Sequence, residues 1–168
     1  SSFEDWLKTG ADSFDVAQRG RDELAAICYT SGTTGHPKGA MHSHRNIVTN
    51  AHGTALMHVR TAGDVLVNSL PLPHVYGSVV FNSSFMYGMT LVIVPRFEEE
   101  AILSAIQQHR ATILDGVPTV YYYLLSHPKF DDYDLSSLTR STVGGQTLPA
   151  AKSIEWTERV TTPVLELW

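Results

Sequence analysis

Apolar residues gather in short runs bounded by turn formers, with longer stretches of helical spacing between them. Residues 24–29, Leu-Ala-Ala-Ile-Cys-Tyr, form one such run and read as a buried strand. Further strands are predicted at 65–67, 91–94, 112–114, 140–143 and 164–167. The run at 65–67 is broken at once by Pro71-Leu72-Pro73, and that at 91–94 is stopped by Pro95. Helices are predicted where capping residues precede periodic stretches. Ser2 caps a short one, with Asp5 in the capping-box place and Gly10 beyond it. Ser43 caps a helix reaching about residue 59, and a helix over 75–87 closes on Gly88. Another runs over 98–109, with Glu98-Glu99-Glu100 in its first turn and His109 and Arg110 at its end. Pro118 opens one over 118–126, and the last covers 149–158. Residues 11–23 are polar and without period.

Short apolar strands that alternate with helices predict parallel pairing, and hence an α/β fold with a mostly parallel sheet layered with helices. Ligands of such sheets bind beyond the carboxyl ends of the strands. That rule singles out three loops, after Tyr29, after Leu70 and after Val143.

Composition narrows the class. A chain of 168 residues suits about one domain. Its hydrophobic fraction of 43% is enough for a core and excludes disordered or low-complexity chains. Only 17% of residues are charged, against roughly 25% in ordinary domains, so part of the surface is expected to be covered by something else. The net charge of −5 argues against non-specific nucleic-acid binding and against a polybasic membrane patch. No apolar run approaches the roughly 20 residues of a membrane-spanning helix, and no signal peptide is visible. The lone Cys28 has no internal disulfide partner, which fits a reducing, cytoplasmic setting. Inside an apolar strand it is expected to be an inert buried thiol. The chain opens on Ser1 and closes within an apolar run, so a piece of something longer is expected.

The densest chemical signal is Thr30-Ser31-Gly32-Thr33-Thr34-Gly35-His36-Pro37-Lys38-Gly39. Glycines let backbone N–H groups converge on an anion, hydroxyls add donors, and Lys38 adds a mobile positive charge. This is what a polyphosphate needs, although a plain mobile turn would use many of the same residues. A Walker A loop is excluded, because Pro37 precedes the lysine and Gly39 follows it.

The string Tyr29 to Ala40 closely resembles the phosphate-loop signature of the adenylate-forming superfamily: acyl-CoA synthetases, peptide-synthetase adenylation domains and luciferases. The continuation Met41-His42-Ser43-His44-Arg45-Asn46 is similar to the family's stretch that enters a helix. Leu70-Pro71-Leu72-Pro73-His74-Val75-Tyr76-Gly77 resembles the second family motif, whose histidine lies near the substrate carboxylate. Ser141 to Pro149 resembles the glycine-rich segment lining the acyl pocket and one face of the adenine, with Gln146 and Thr147 where small residues or proline are common. Trp168 is placed like the family's adenine-stacking aromatic, and Val117 lies near an acyl-pocket position. The resemblance covers nearly the whole chain but only about the middle third of a family member.

The resemblance therefore implies a partial AMP-binding (adenylation) domain over residues 1–168, part of a large N-terminal domain, with the C-terminal domain absent. It implies ATP with Mg²⁺, a small-molecule carboxylate, CoA as co-substrate, and contacts to the remainder of the parent chain. His74 and Lys38 are the catalytic candidates. Thr30, Ser31, Gly32, Thr33, Thr34, Gly35 and Lys38 would hold the phosphates, with Thr30 touching Mg²⁺. Gly144, Gly145, Gln146, Thr147, Trp168 and Val117 would frame the adenine and acyl group. The parent activity is expected to be acyl-CoA synthesis through an acyl-adenylate, and the piece alone is expected to be inactive. A peptide-synthetase adenylation domain, a luciferase-like oxygenase and a non-catalytic nucleotide-binding module are the alternatives.

Three further features have plainer readings. The eight histidines match no zinc spacing. Tyr121-Tyr122-Tyr123 reads as an aromatic core face or a channel border. The apolar helix around Val79, Val80, Phe81, Phe85 and Met86 suggests a medium or long fatty acid, or simply core.

Overall fold

The computed structural model describes residues 2–11, 13–30 and 35–167. Its elements run, in chain order, α1 (Phe3–Leu7), β1 (Leu24–Thr30), β2 (Lys38–Ser43), α2 (His44–Met57), β3 (Val65–Asn68), α3 (Val75–Tyr87), β4 (Thr90–Ile93), α4 (Glu99–His109), β5 (Ile113–Gly116), α5 (Pro118–Ser126), a 3₁₀ turn (Phe130–Asp132), β6 (Arg140–Val143), α6 (Ala150–Val160) and β7 (Val164–Glu166). The predicted caps form. Ser2 and Ser43 each make a reciprocal capping box, with Asp5 and Asn46, and Gly88 closes α3 in a left-handed conformation.

Five strands make a wholly parallel sheet in the order β4-β3-β5-β6-β7. Alternate residues of each strand supply two cores. Val67, Leu114 and Val143 pack with α4, α5 and α6, around Trp156, Tyr121 and Phe130. Leu66 and Ile113 pack with Val80 of α3 on the other face. The chain moves one way from β3 to β4 through α3, then back past β3 to β5 through α4. Right-handed crossovers in opposite directions need helices on opposite faces, and that is where these helices lie. The order reverses between β3 and β5, which makes their carboxyl ends the topological switch point.

Three expectations need correction. Residues 24–30 do form a strand, but not a buried member of the parallel sheet. β1 pairs antiparallel with β2, an element the sequence reading took for the approach to a helix, and most of its residues are exposed. Hairpin strands need no crossover helix, so strand–helix alternation fails as a guide there. Cys28 is correspondingly half-buried, with its Sγ 3.9 Å from His42 Nδ1. The tyrosine run divides by helical geometry: Tyr121 is wholly buried, while Tyr122 and Tyr123 face outward. The α3 residues divide in the same way, with Val80 buried and Phe81, Phe85 and Met86 exposed.

Candidate functional site

The parallel sheet ends at its carboxyl edge in four short connections: 69–74 after β3, 94–98 after β4, Val117 after β5, and 144–149 after β6. The two loops that sequence reasoning picked after Leu70 and Val143 both lie here. The described ends of the phosphate-type segment lie on the β1–β2 hairpin, with Thr30 paired to Lys38 across its base. Ser31, Gly32, Thr33 and Thr34 lie outside the described residues, as does Trp168. Gly35 has a φ of +82°, the left-handed region that glycine enters without strain. Lys38 is exposed and, among the described residues, makes no ion pair. The hairpin stands beside α3. Cys28 and His42 share a cavity of about 140 Å³ with Val75, Ser78 and Val79 from the first turns of that helix.

His74 is the N-cap of α3, and its Nδ1 accepts the backbone N–H of Tyr76 at 3.2 Å. An accepting Nδ1 assigns the neutral ring's proton to Nε2, which leaves Nε2–H as a donor beyond the helix. Gly77 then lets the helix start against the preceding turn. A Cβ built there would lie 2.2 Å from the Pro71 carbonyl oxygen, so only glycine fits.

The glycine-rich connection is held from both sides. Gly144 donates its N–H to the Gly116 carbonyl at 3.0 Å, and Leu167 donates to the Val143 carbonyl at 2.7 Å. Gly145 adopts φ +84°, and its Cβ position is 3.8 Å from Val117 Cγ1, so Val117 and this loop are neighbours. Gly145, Gln146 and Thr147 are exposed and line a cleft of about 190 Å³ with Glu166 and Leu167. A second, largely apolar cavity of about 620 Å³ lies between Leu70 to Pro73, Ile93 to Phe97, and Val117 to Val120. The structure thus brings His74, Val117 and Gly144 to Thr147 together at one edge, and sets Thr30, Gly35 and Lys38 on the hairpin beside α3.

A buried polar cluster beneath this edge escaped the sequence reading. Arg60 and Asp115 form an ion pair at 2.6 Å, both side chains wholly inaccessible. Asp115 also accepts from Thr142 Oγ1 at 2.5 Å, and Thr142 Oγ1 lies 2.9 Å from the Tyr76 hydroxyl. Burial foremost, and then the Asp115 charge, push the Tyr76 phenol far above its ordinary range. The available signal was an aspartate directly after the apolar run Ile113-Leu114, a charge that needs a buried partner. No group of three or more metal-ligating side chains occurs among the described residues. No described helix is long and apolar enough to cross a membrane.

A doubly wound parallel sheet whose loops converge at its switch point is the architecture of an α/β ligand-binding protein. The family profile described as AMP-binding enzyme matches residues 2–168, and the chain belongs to that family. It is 37% identical over 130 residues to the long-chain-fatty-acid–CoA ligase of Bacillus subtilis, covering 76% of this chain and 23% of that protein. It is 31% identical over 169 aligned positions to the 3-methylmercaptopropionyl-CoA ligase of Ruegeria pomeroyi, covering 99% of this chain and 31% of that protein. Among solved structures, the inhibitor-bound N-terminal domain of FACL13 from Mycobacterium tuberculosis superposes with a TM-score of 0.91 at 30% identity, over 98% of this chain and 41% of that one. ATP-bound MatB from Rhodopseudomonas palustris gives 0.87 at 35% identity, over 97% and 32%. The chain spans about a quarter to a third of the curated relatives it matches.

Proposed function

We propose that this chain is the part of an ATP-dependent acyl-CoA synthetase that binds ATP and the acid. A carboxylate oxygen attacks the α-phosphorus of ATP, the bond to the bridging oxygen breaks, and pyrophosphate leaves. The thiol sulfur of CoA then attacks the acyl carbon, losing its proton, and AMP leaves as the thioester forms. The observation that carries this reading is the convergence of His74, Val117 and the glycine-rich loop at the switch point, with the Thr30–Lys38 hairpin base beside the same helix.

Each group has a role that its chemistry supports. His74 offers Nε2–H to the carboxylate while Nδ1 stays with the helix. Donors and cations aimed at the phosphates stabilise the charge that accumulates there in the first step. Thr30 to Gly35, including Ser31, Gly32, Thr33 and Thr34, and Lys38 fill that role. Gly144, Gly145, Gln146 and Thr147 frame the adenine and acyl group, with Val117 bordering the acyl side and Trp168 stacking on the adenine. Mg²⁺ arriving with ATP would neutralise phosphate charge, and the Thr30 hydroxyl would offer that hard cation one oxygen. CoA is favoured over a carrier protein because the relatives named above are CoA ligases. A cytoplasmic setting fits the lone Cys28.

The test is carboxylate-dependent ATP–pyrophosphate exchange and acyl-CoA formation by the protein expressed from its complete open reading frame. Exchange with at least one acid, lost in Lys38→Ala, is expected. Absence of exchange across a broad acid panel overturns the reading. The 168-residue chain alone is expected to give no acyl-adenylate.

A further inference from the structure

Tyr76 is bonded in two directions. Its backbone N–H donates to His74 Nδ1 at 3.2 Å, and its hydroxyl lies 2.9 Å from Thr142 Oγ1. Behind Thr142 stands Asp115, its registered partner on the adjacent strand, whose Oδ1 accepts from Thr142 Oγ1 at 2.5 Å. The other carboxylate oxygen, Oδ2, accepts from Arg60 Nη2 at 2.6 Å. Arg60 then returns to the helix, because its Nη1 donates to Ser83 Oγ at 2.9 Å. Ser83 lies seven residues after Tyr76, on the same side of α3. One buried ion pair thus ties α3 at two points, at the first turn through Thr142 and at the third turn directly.

The bonds have a fixed direction. The Asp115 carboxylate only accepts, so Thr142 gives it its single proton, and the Tyr76 hydroxyl is the donor to Thr142. The side chains of Arg60 and Asp115 are wholly inaccessible, so no solvent replaces a lost partner. Packing alone does not call for such a ladder. Val80 of α3 already meets Leu66 and Ile113 of the sheet, and apolar contact holds a helix down without setting its rotation. Charge-assisted hydrogen bonds are directional and do set it. The imidazole of His74 depends on that setting. Its ring is exposed, and among the described residues its one hydrogen bond is the one from the Tyr76 N–H.

We propose that Asp115, held by Arg60 and acting through Thr142 and the Tyr76 hydroxyl, is a positioning residue for acid activation: it fixes the start of α3, and with it the direction in which His74 offers Nε2–H. The proposal rests on the acid-activating reading above, with His74 as the group that meets the carboxylate. Asp115, Thr142 and Arg60 touch no substrate. Their effect is geometric, and a misplacement of about 1 Å at a reacting group can cost up to about 10²-fold in rate.

The experiment is ATP–pyrophosphate exchange by the protein from its complete open reading frame, with the acid that wild type uses best. Tyr76→Phe keeps the ring and removes only the hydroxyl. Thr142→Val keeps the shape and removes the link. Both leave the ion pair in place, and a urea titration of each reports its folding, so either serves if the other unfolds. In each, kcat/KM for the acid is expected to fall at least about fivefold with the KM for ATP unmoved, and Thr142→Ser is expected to restore it. Groups that act as a unit are not additive. Added to His74→Asn, Thr142→Val is therefore expected to lower whatever exchange remains, read at high enzyme concentration, by less than about twofold. Wild-type kcat/KM for the acid in a folded Tyr76→Phe or Thr142→Val variant overturns the proposal. So does a loss in Thr142→Ser equal to that in Thr142→Val, an equal loss through the KM for ATP, or a full further loss on top of His74→Asn. Wild-type exchange in His74→Asn removes the group to be positioned, and the proposal falls while the acid-activating reading stands. Exchange with no acid at all overturns both.

Discussion

One imidazole serves two purposes at position 74. Its Nδ1 caps α3, and in the proposed function its Nε2–H meets the carboxylate, so an alanine there would remove both at once. Asparagine separates them, because an Asn side chain caps well but lacks a donor in the same place. His74→Ala is expected to cost about 1 kcal/mol of stability, and His74→Asn much less. Both are expected to lose acid-dependent exchange, so urea titration alongside the exchange assay distinguishes cap from donor. Arg60 and Asp115 make the opposite case, a pair whose members are costly only when separated. Arg60→Met or Asp115→Leu alone should destabilise by about 3–5 kcal/mol, since each leaves a buried charge unpaired. The double variant should recover most of that loss, which a double-mutant cycle in urea measures.

At the scale of elements, the β1–β2 hairpin and the parallel sheet differ in how they are held. The hairpin has two strands, mostly exposed, and such pairs are marginal by themselves. β5 sits at the centre of the sheet with all four of its residues buried. Amide exchange should therefore be fast along 24–30 and 38–43 and slowest along 113–116, read by hydrogen-exchange mass spectrometry. The helices and the parallel strands were legible because each was marked locally. Ser43, Gly88 and Pro118 stand at real helix ends, and Arg140 to Val143 pairs as a strand of four. The second hairpin strand was not legible, because Lys38-Gly39-Ala40-Met41-His42-Ser43 has neither an apolar run nor clean alternation.

The whole molecule responds to acid through groups that tertiary packing has shifted. Burial foremost, and the neighbouring Arg60 charge, lower the pKa of His58. Below the ordinary histidine value near 6.5, the unfolded chain binds more protons than the folded one, so stability falls as pH drops through that value. Burial works to raise the Asp64 carboxyl. Its hydrogen bonds from Thr112 and Thr61, with the Arg140 charge, outweigh burial and hold it below its ordinary range. Its contribution is present above about pH 4 and is lost as pH falls through the lowered value. Thermal melting across pH should show both declines, and His58→Asn should remove only the upper one.

The sequence by itself determined what local chemistry determines. Capping residues, prolines, glycines and short apolar runs fixed most element positions, and the Thr30–Gly39, Pro71–His74 and Gly144–Gly145 strings marked the candidate site. These signals act within a few residues, so they survive in one dimension. The strand order, the exposed antiparallel hairpin and the packing of α3 against β3 and β4 were decided only by the tertiary structure. So was the meeting of Tyr76, Thr142, Asp115 and Arg60, which are separated by up to 82 positions in the chain. No local pattern encodes such a contact. It arises because a buried charge must find its partner wherever packing brings one.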